Sequence, residues 1–101
     1  MDGAENGAFA AMEPEACANL AEVRAGIDEV DGRLIELLAR RLAYSERTSK
    51  LKAERAQVRD EARIAQVIAN VLARGAQKGL PPEIVAPIWR AIIDAFVAHE
   101  L

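Results

Sequence analysis

Aromatic residues are scarce in this chain of 101 residues: two phenylalanines, one tryptophan and one tyrosine. Ala, Leu, Ile, Val, Glu and Arg dominate instead, and that balance points to an all-α protein. A lone cysteine, Cys17, excludes an intrachain disulfide and fits a reducing compartment. It reads as a small apolar residue, buried or half-buried, with a reactive thiol as the other reading. A lone histidine, His99, leaves no Cys/His cluster for zinc and sits where it would face solvent. No glycine-rich loop could cradle a phosphate; Gly75 and Gly79 read as helix caps. The net charge of −3 lacks the basic face that nucleic acid requires.

Long apolar runs are missing too. No stretch approaches the ~20 residues that span a bilayer. The N-terminus has no basic segment, and its one apolar patch is Ala8–Met12, so no signal peptide is expected. These absences together place the chain in the cytosol, away from membranes. They also leave binding and electrostatics as the means of any catalysis, without covalent chemistry, metal or cofactor. The length sets a single domain.

What is present is a seam. Leu20, Val23, Ile27, Val30, Leu34 and Leu37 recur at alternating steps of three and four, a heptad pattern on one face of a helix running from about Leu20 to Lys52. The seam continues into Arg41, Tyr44, Thr48 and Leu51, and Lys52 returns to nearly the face of Arg41 after about three turns. A cation at each end of a polar interruption suggests a buried anion site. The same residues also fit polar positions that merely set register and oligomeric state. A helix of this length extends roughly 50 Å, whereas a compact domain of this size spans only about 35 Å. The apolar seam therefore calls for a second copy, and an obligate homodimer is expected.

The remaining chain divides by its punctuation. Residues 1–13 are small, acidic and aperiodic and are expected to form a disordered tail, leaving 14–101 as the helical domain. The first helix starts either at Pro14 or at Asn19, where Glu22 supplies a capping-box spacing. Asp60 is a good N-cap for a second helix with Ile64, Val67, Ile68, Val71 and Leu72 on one stripe, ended by Gly75 or Gly79. Pro81 and Pro82 open a third, whose apolar face holds Val85, Trp89, Ile92, Ile93 and Phe96. Pro87 either delays its regular part to near Ala86 or kinks it. Glu100 falls on the same inward face, although a frayed last turn would also account for it. Arg24 and Arg63 equally fit plain solvent exposure. Two arginines and a lysine suit a dicarboxylate, because guanidinium binds carboxylate bidentately and lysine acts as a movable point charge.

Three spaced patterns carry a resemblance. They are R-x2-I-x3-D-x9-R-x10-K at Arg24, Ile27, Asp31, Arg41 and Lys52; V-R-D-x2-R at Val58–Arg63; and I-I-x6-E at Ile92–Glu100. Over about residues 17–101 the chain resembles the all-helical chorismate mutases and their relatives, the isochorismate-pyruvate lyases. The resemblance implies an intertwined homodimer of three-helix protomers with the long helices antiparallel across the two-fold. It also implies that each shared site takes one arginine from the other chain. Arg24 and Arg41 lie about 25 Å apart along one helix, so an antiparallel partner is what would bring its Arg24 to the Arg41 end.

By the same resemblance, Arg41 and Arg24 of the partner subunit match the carboxylate-binding arginines, and Lys52 the donor to the ether oxygen. Asp60 matches a residue near the ring hydroxyl and Arg63 a nearby arginine, while Glu100 matches the second donor to the ether oxygen. The chain departs from the bacterial mutases in three places. The link from Lys52 to Asp60 is one residue shorter, as in the lyases. Ile64 stands where those mutases place a glutamate that binds the ring hydroxyl, and Phe96 replaces a serine. The implied reaction is rearrangement of chorismate to prephenate, with the lyase reaction on isochorismate as the enzymatic alternative. A helical dimer that only binds an acidic metabolite or a protein partner is the reading from another class.

Overall fold

A computed structural model of the chain describes residues 9–51 and 60–100. The element order is a 3-10 turn at Pro14–Ala16, then α1 (Leu20–Leu51), α2 (Glu61–Gln77) and α3 (Pro82–Glu100). No strand occurs among the described residues, so the all-α expectation holds. The chain resolves into two compact units, one ending at Arg41 and one beginning at Leu42, with α1 contributing to both.

In the first unit the start of α1 is settled by local capping. The Asn19 Oδ1 accepts the Glu22 N–H at 2.9 Å, and the Glu22 carboxylate accepts the Ala18 N–H at 2.7 Å. Two orphan donors of the helix entry are thereby satisfied. Pro14 opens only the short 3-10 turn, closed by Ala16 N–H to Glu13 O at 2.9 Å. Cys17 is half-buried, and its thiol donates to the Glu13 carbonyl at 3.6 Å.

Phe9–Glu13 fall within the stretch expected to be a disordered tail, yet these residues lie along α1. The Ala10 and Ala11 N–H groups donate to the two oxygens of Glu29 at 2.7 and 2.8 Å. The Arg33 guanidinium stands 4.3 Å from the centre of the Phe9 ring and 3.6 Å from Glu29. The N–H of Ala10 and then that of Ala11 hold the Glu29 carboxyl below the usual carboxylate range; desolvation opposes them, and Arg33 adds a lesser lowering through its charge and a hydrogen bond. This segment and α1 bound an apolar cleft of about 390 Å³ whose walls include Met12, Val23, Ile27 and Val30. Neither Arg24 nor Arg41 lines it.

The seam of α1 is uncovered. Leu20 is 65% exposed, Ile27 53% and Leu37 61%, and no residue of α1 is buried. Thr48 turns its hydroxyl back onto its own helix, donating to the Tyr44 carbonyl at 3.1 Å.

In the second unit α2 and α3 form a hairpin around Ile68, Val85 and Ile93. Asp60 caps α2 as expected: its carboxylate accepts the Arg63 N–H at 3.1 Å. At the other end Gly79 adopts φ +75°, with Leu80 N–H to Gly75 O at 2.8 Å and Gly79 N–H to Ala76 O at 3.3 Å. That pair of bonds is a Schellman motif, and it makes Gly79 the cap. Pro82 then begins α3, and Pro87 lies inside it, where it cannot donate to the Glu83 carbonyl. Regular structure thus starts before Ala86. Among the described residues no helix is long and apolar enough to cross a membrane.

Candidate functional site

The inward face of α3 ends at Glu100, which is half-buried. Its carboxylate accepts a hydrogen bond from the Ser45 hydroxyl of α1. One residue along on each helix, His99 Nε2 stands 3.5 Å from a Glu46 carboxylate oxygen, an ion pair when the imidazole is protonated. Two neighbouring contacts therefore fasten the last turn of α3 to α1, so the final turn is not frayed at Glu100. His99 keeps the solvent exposure expected of it, at 58% of its side chain.

The cations are distributed along the chain. Arg24 is exposed on α1 and Arg41 is half-buried, both within the first unit. Lys52 lies outside the described residues. Asp60 and Arg63 are brought together at the start of α2, but through the backbone: the Asp60 carboxylate is engaged by the Arg63 N–H. The Arg63 guanidinium is exposed and donates to Gln66 Oε1 at 2.5 Å. Ile64 is half-buried beside them and offers no polar atom from its side chain. Phe96 is likewise half-buried on α3, one turn before Glu100.

Ser45 is the residue that sequence reasoning missed. The available signal was its place four residues after Arg41, the spacing that puts two helical side chains on one face. Nothing local pointed to Glu100 as its acceptor, 55 positions away in sequence. Among the described residues no group of three His, Cys, Asp or Glu side chains could hold a metal ion.

Among the described residues, three α-helices without a strand, a long charged first helix and a carboxyl held at the end of the third define a class of small all-α proteins. The chain belongs to the chorismate mutase type II family, whose description matches residues 23–101. It is similar to the isochorismate pyruvate lyase of Pseudomonas aeruginosa, with 28% identity over 88 residues, or 87% of each chain. No solved structure gives a significant match. The resemblance read from the spaced charges is thus confirmed at the level of the family, which works on small-molecule substrates.

Proposed function

We propose that the protein is a chorismate mutase that converts chorismate to prephenate. The observation that carries this reading is the family match over residues 23–101, a span that includes Arg24, Arg41, Lys52, Asp60, Arg63 and Glu100. In the rearrangement the ether C–O bond breaks as a C–C bond forms within the same molecule, and no cofactor or metal is needed. Negative charge gathers on the ether oxygen in the transition state. Lys52 and Glu100 donate to that oxygen, and such donors bind the transition state more tightly than the ground state. An ionised carboxylate only accepts hydrogen bonds, so this role requires Glu100 in its protonated form. Arg41 and Arg24 of the partner subunit hold the two carboxylates, keeping a flexible substrate in its reactive conformer. Asp60 and Arg63 stand near the ring hydroxyl.

The shared site makes the functional unit a homodimer. The exposed seam from Leu20 to Leu37 supports it, since single copies of a soluble domain seldom expose a continuous apolar stripe. In this reading the substrate is a dicarboxylate that acts in the cytosol.

A second reading, isochorismate-pyruvate lyase, is supported by the name of the Pseudomonas relative and by Ile64, whose apolar side chain offers no partner to the ring hydroxyl. Purified protein should be supplied with chorismate and isochorismate in turn, with prephenate, salicylate and pyruvate followed. Prephenate as the faster product supports the mutase, and salicylate with pyruvate replaces it by the lyase. Turnover of neither leaves a protein that only binds.

A further inference from the structure

Ser45 and Thr48 stand three residues apart on α1 and use their hydroxyls differently. A helical serine or threonine ordinarily donates back to the carbonyl four residues earlier, as Thr48 does to Tyr44. Ser45 instead reaches across to α3 and donates to Oε2 of Glu100. Both groups are half-buried, and the Glu46–His99 pair lies alongside them between the same two helices.

We propose that Ser45 is a positioning residue for Glu100: by donating to Oε2 it fixes that oxygen as the acceptor and leaves Oε1 as the oxygen that carries the acidic proton. The proposal rests on the reading of Glu100 as a donor to the substrate's ether oxygen, and deepens it. A free carboxylic acid rotates about its terminal torsion, which is soft, and can protonate either oxygen. Both freedoms misdirect the proton. The contact with Ser45 restricts that torsion, and while the hydroxyl donates to Oε2, as it does here, the acid proton is left to Oε1. The role belongs to orientation in the transition state more than to substrate affinity, so its loss falls on kcat.

The test uses the full-length protein and its own faster substrate. Ser45→Ala should lower kcat about three- to tenfold, the range of one neutral hydrogen bond, with KM changed less than twofold. The far-UV spectrum should stay at its wild-type value, since alanine suits a helix interior, and the thermal midpoint should fall by no more than about 4–8 °C, the scale of one lost hydrogen bond. Ser45→Thr keeps the hydroxyl and should restore most of the rate. In a Glu100→Ala background the further change Ser45→Ala should have no effect, because the group to be oriented is gone. In Glu100→Gln it should still lower kcat, since the amide oxygen takes the place of Oε2 and the NH2 that of the acid proton. An equal loss from Ser45→Ala with and without Glu100 overturns the proposal, as does a loss confined to KM. Wild-type turnover of neither substrate would overturn the underlying function first, and is read before any variant.

Discussion

Val85 closes over Gly75 so tightly that a Cβ at residue 75 would stand 2.8 Å from Val85 Cγ2 and 3.0 Å from the Leu80 carbonyl. Gly75 is buried inside α2 and Val85 is 1% exposed, so the hairpin of α2 and α3 meets at a point with no room for a methyl. Overpacking of this kind costs about 1–3 kcal/mol, while alanine gains about 1 kcal/mol of helix propensity over glycine. Gly75→Ala should therefore lower stability by about 1 kcal/mol in urea unfolding, and by less when Val85 is also alanine. A midpoint at or above wild type would show that the hairpin opens without cost.

Glu29 offers a pH-dependent fastening of the N-terminal segment. Its carboxyl is held below the ordinary value by the Ala10 and Ala11 N–H groups and Arg33. A depressed value in the folded state means that the stabilisation is fully present above the unfolded carboxylate value of about 4.3 and fades as pH falls through the lowered one. The amide signals of Ala10 and Ala11 in NMR should thus stay constant from neutral pH down to about pH 4 and then shift together. Glu29→Gln should abolish the acid transition. A transition at or above the ordinary carboxylate value would contradict the assigned fastening.

The exposed seam of α1 should be covered in solution. Sedimentation equilibrium at micromolar concentration is expected to give twice the chain mass, and dilution should lose dimer and helicity together. A folded monomer would remove the reason for Val23, Ile27 and Val30 to lie open.

A site built from two chains has a signature of its own. Arg24→Ala and Arg41→Ala should each abolish nearly all turnover. A heterodimer of the two variants contains one intact site and one doubly damaged site, so mixing and refolding the inactive proteins should return part of the activity. Exchange of chains without recovery would place Arg24 outside the site of the other subunit.

Glu100 as a hydrogen-bond donor to the ether oxygen should be replaceable only by another donor. Glu100→Gln keeps an N–H donor at the same place and should retain most of kcat/KM. Glu100→Ala should be slow, by about a hundredfold or more, the scale of one lost transition-state donor. Equal activity of the glutamine and alanine variants would leave Glu100 with a structural part only.

Sequence alone determined what depends on neighbours within a turn or two. Asn19 with Glu22 was one of two starts offered for α1, beside Pro14, while Asp60 marked the start of α2 and Pro81 and Pro82 that of α3, because a cap is closed by backbone groups three or four residues away. The stripes of α2 and α3 were legible for the same reason, since helical period converts spacing directly into a face. The spaced charges around Arg24 and Arg41 also revealed the family, whose pattern is written along one helix. The tertiary structure alone decided the rest. Gly75 read as a possible cap, but the Schellman bonds fall at Gly79, and Gly75 is needed because α3 passes within a methyl's reach. Ser45 had no visible purpose until α3 brought Glu100 to it. Phe9 and Ala10 read as tail until Glu29 and Arg33 supplied partners some twenty residues on. Apart from the local Schellman bonds, these contacts join different elements, and only packing of one element on another selects the pair.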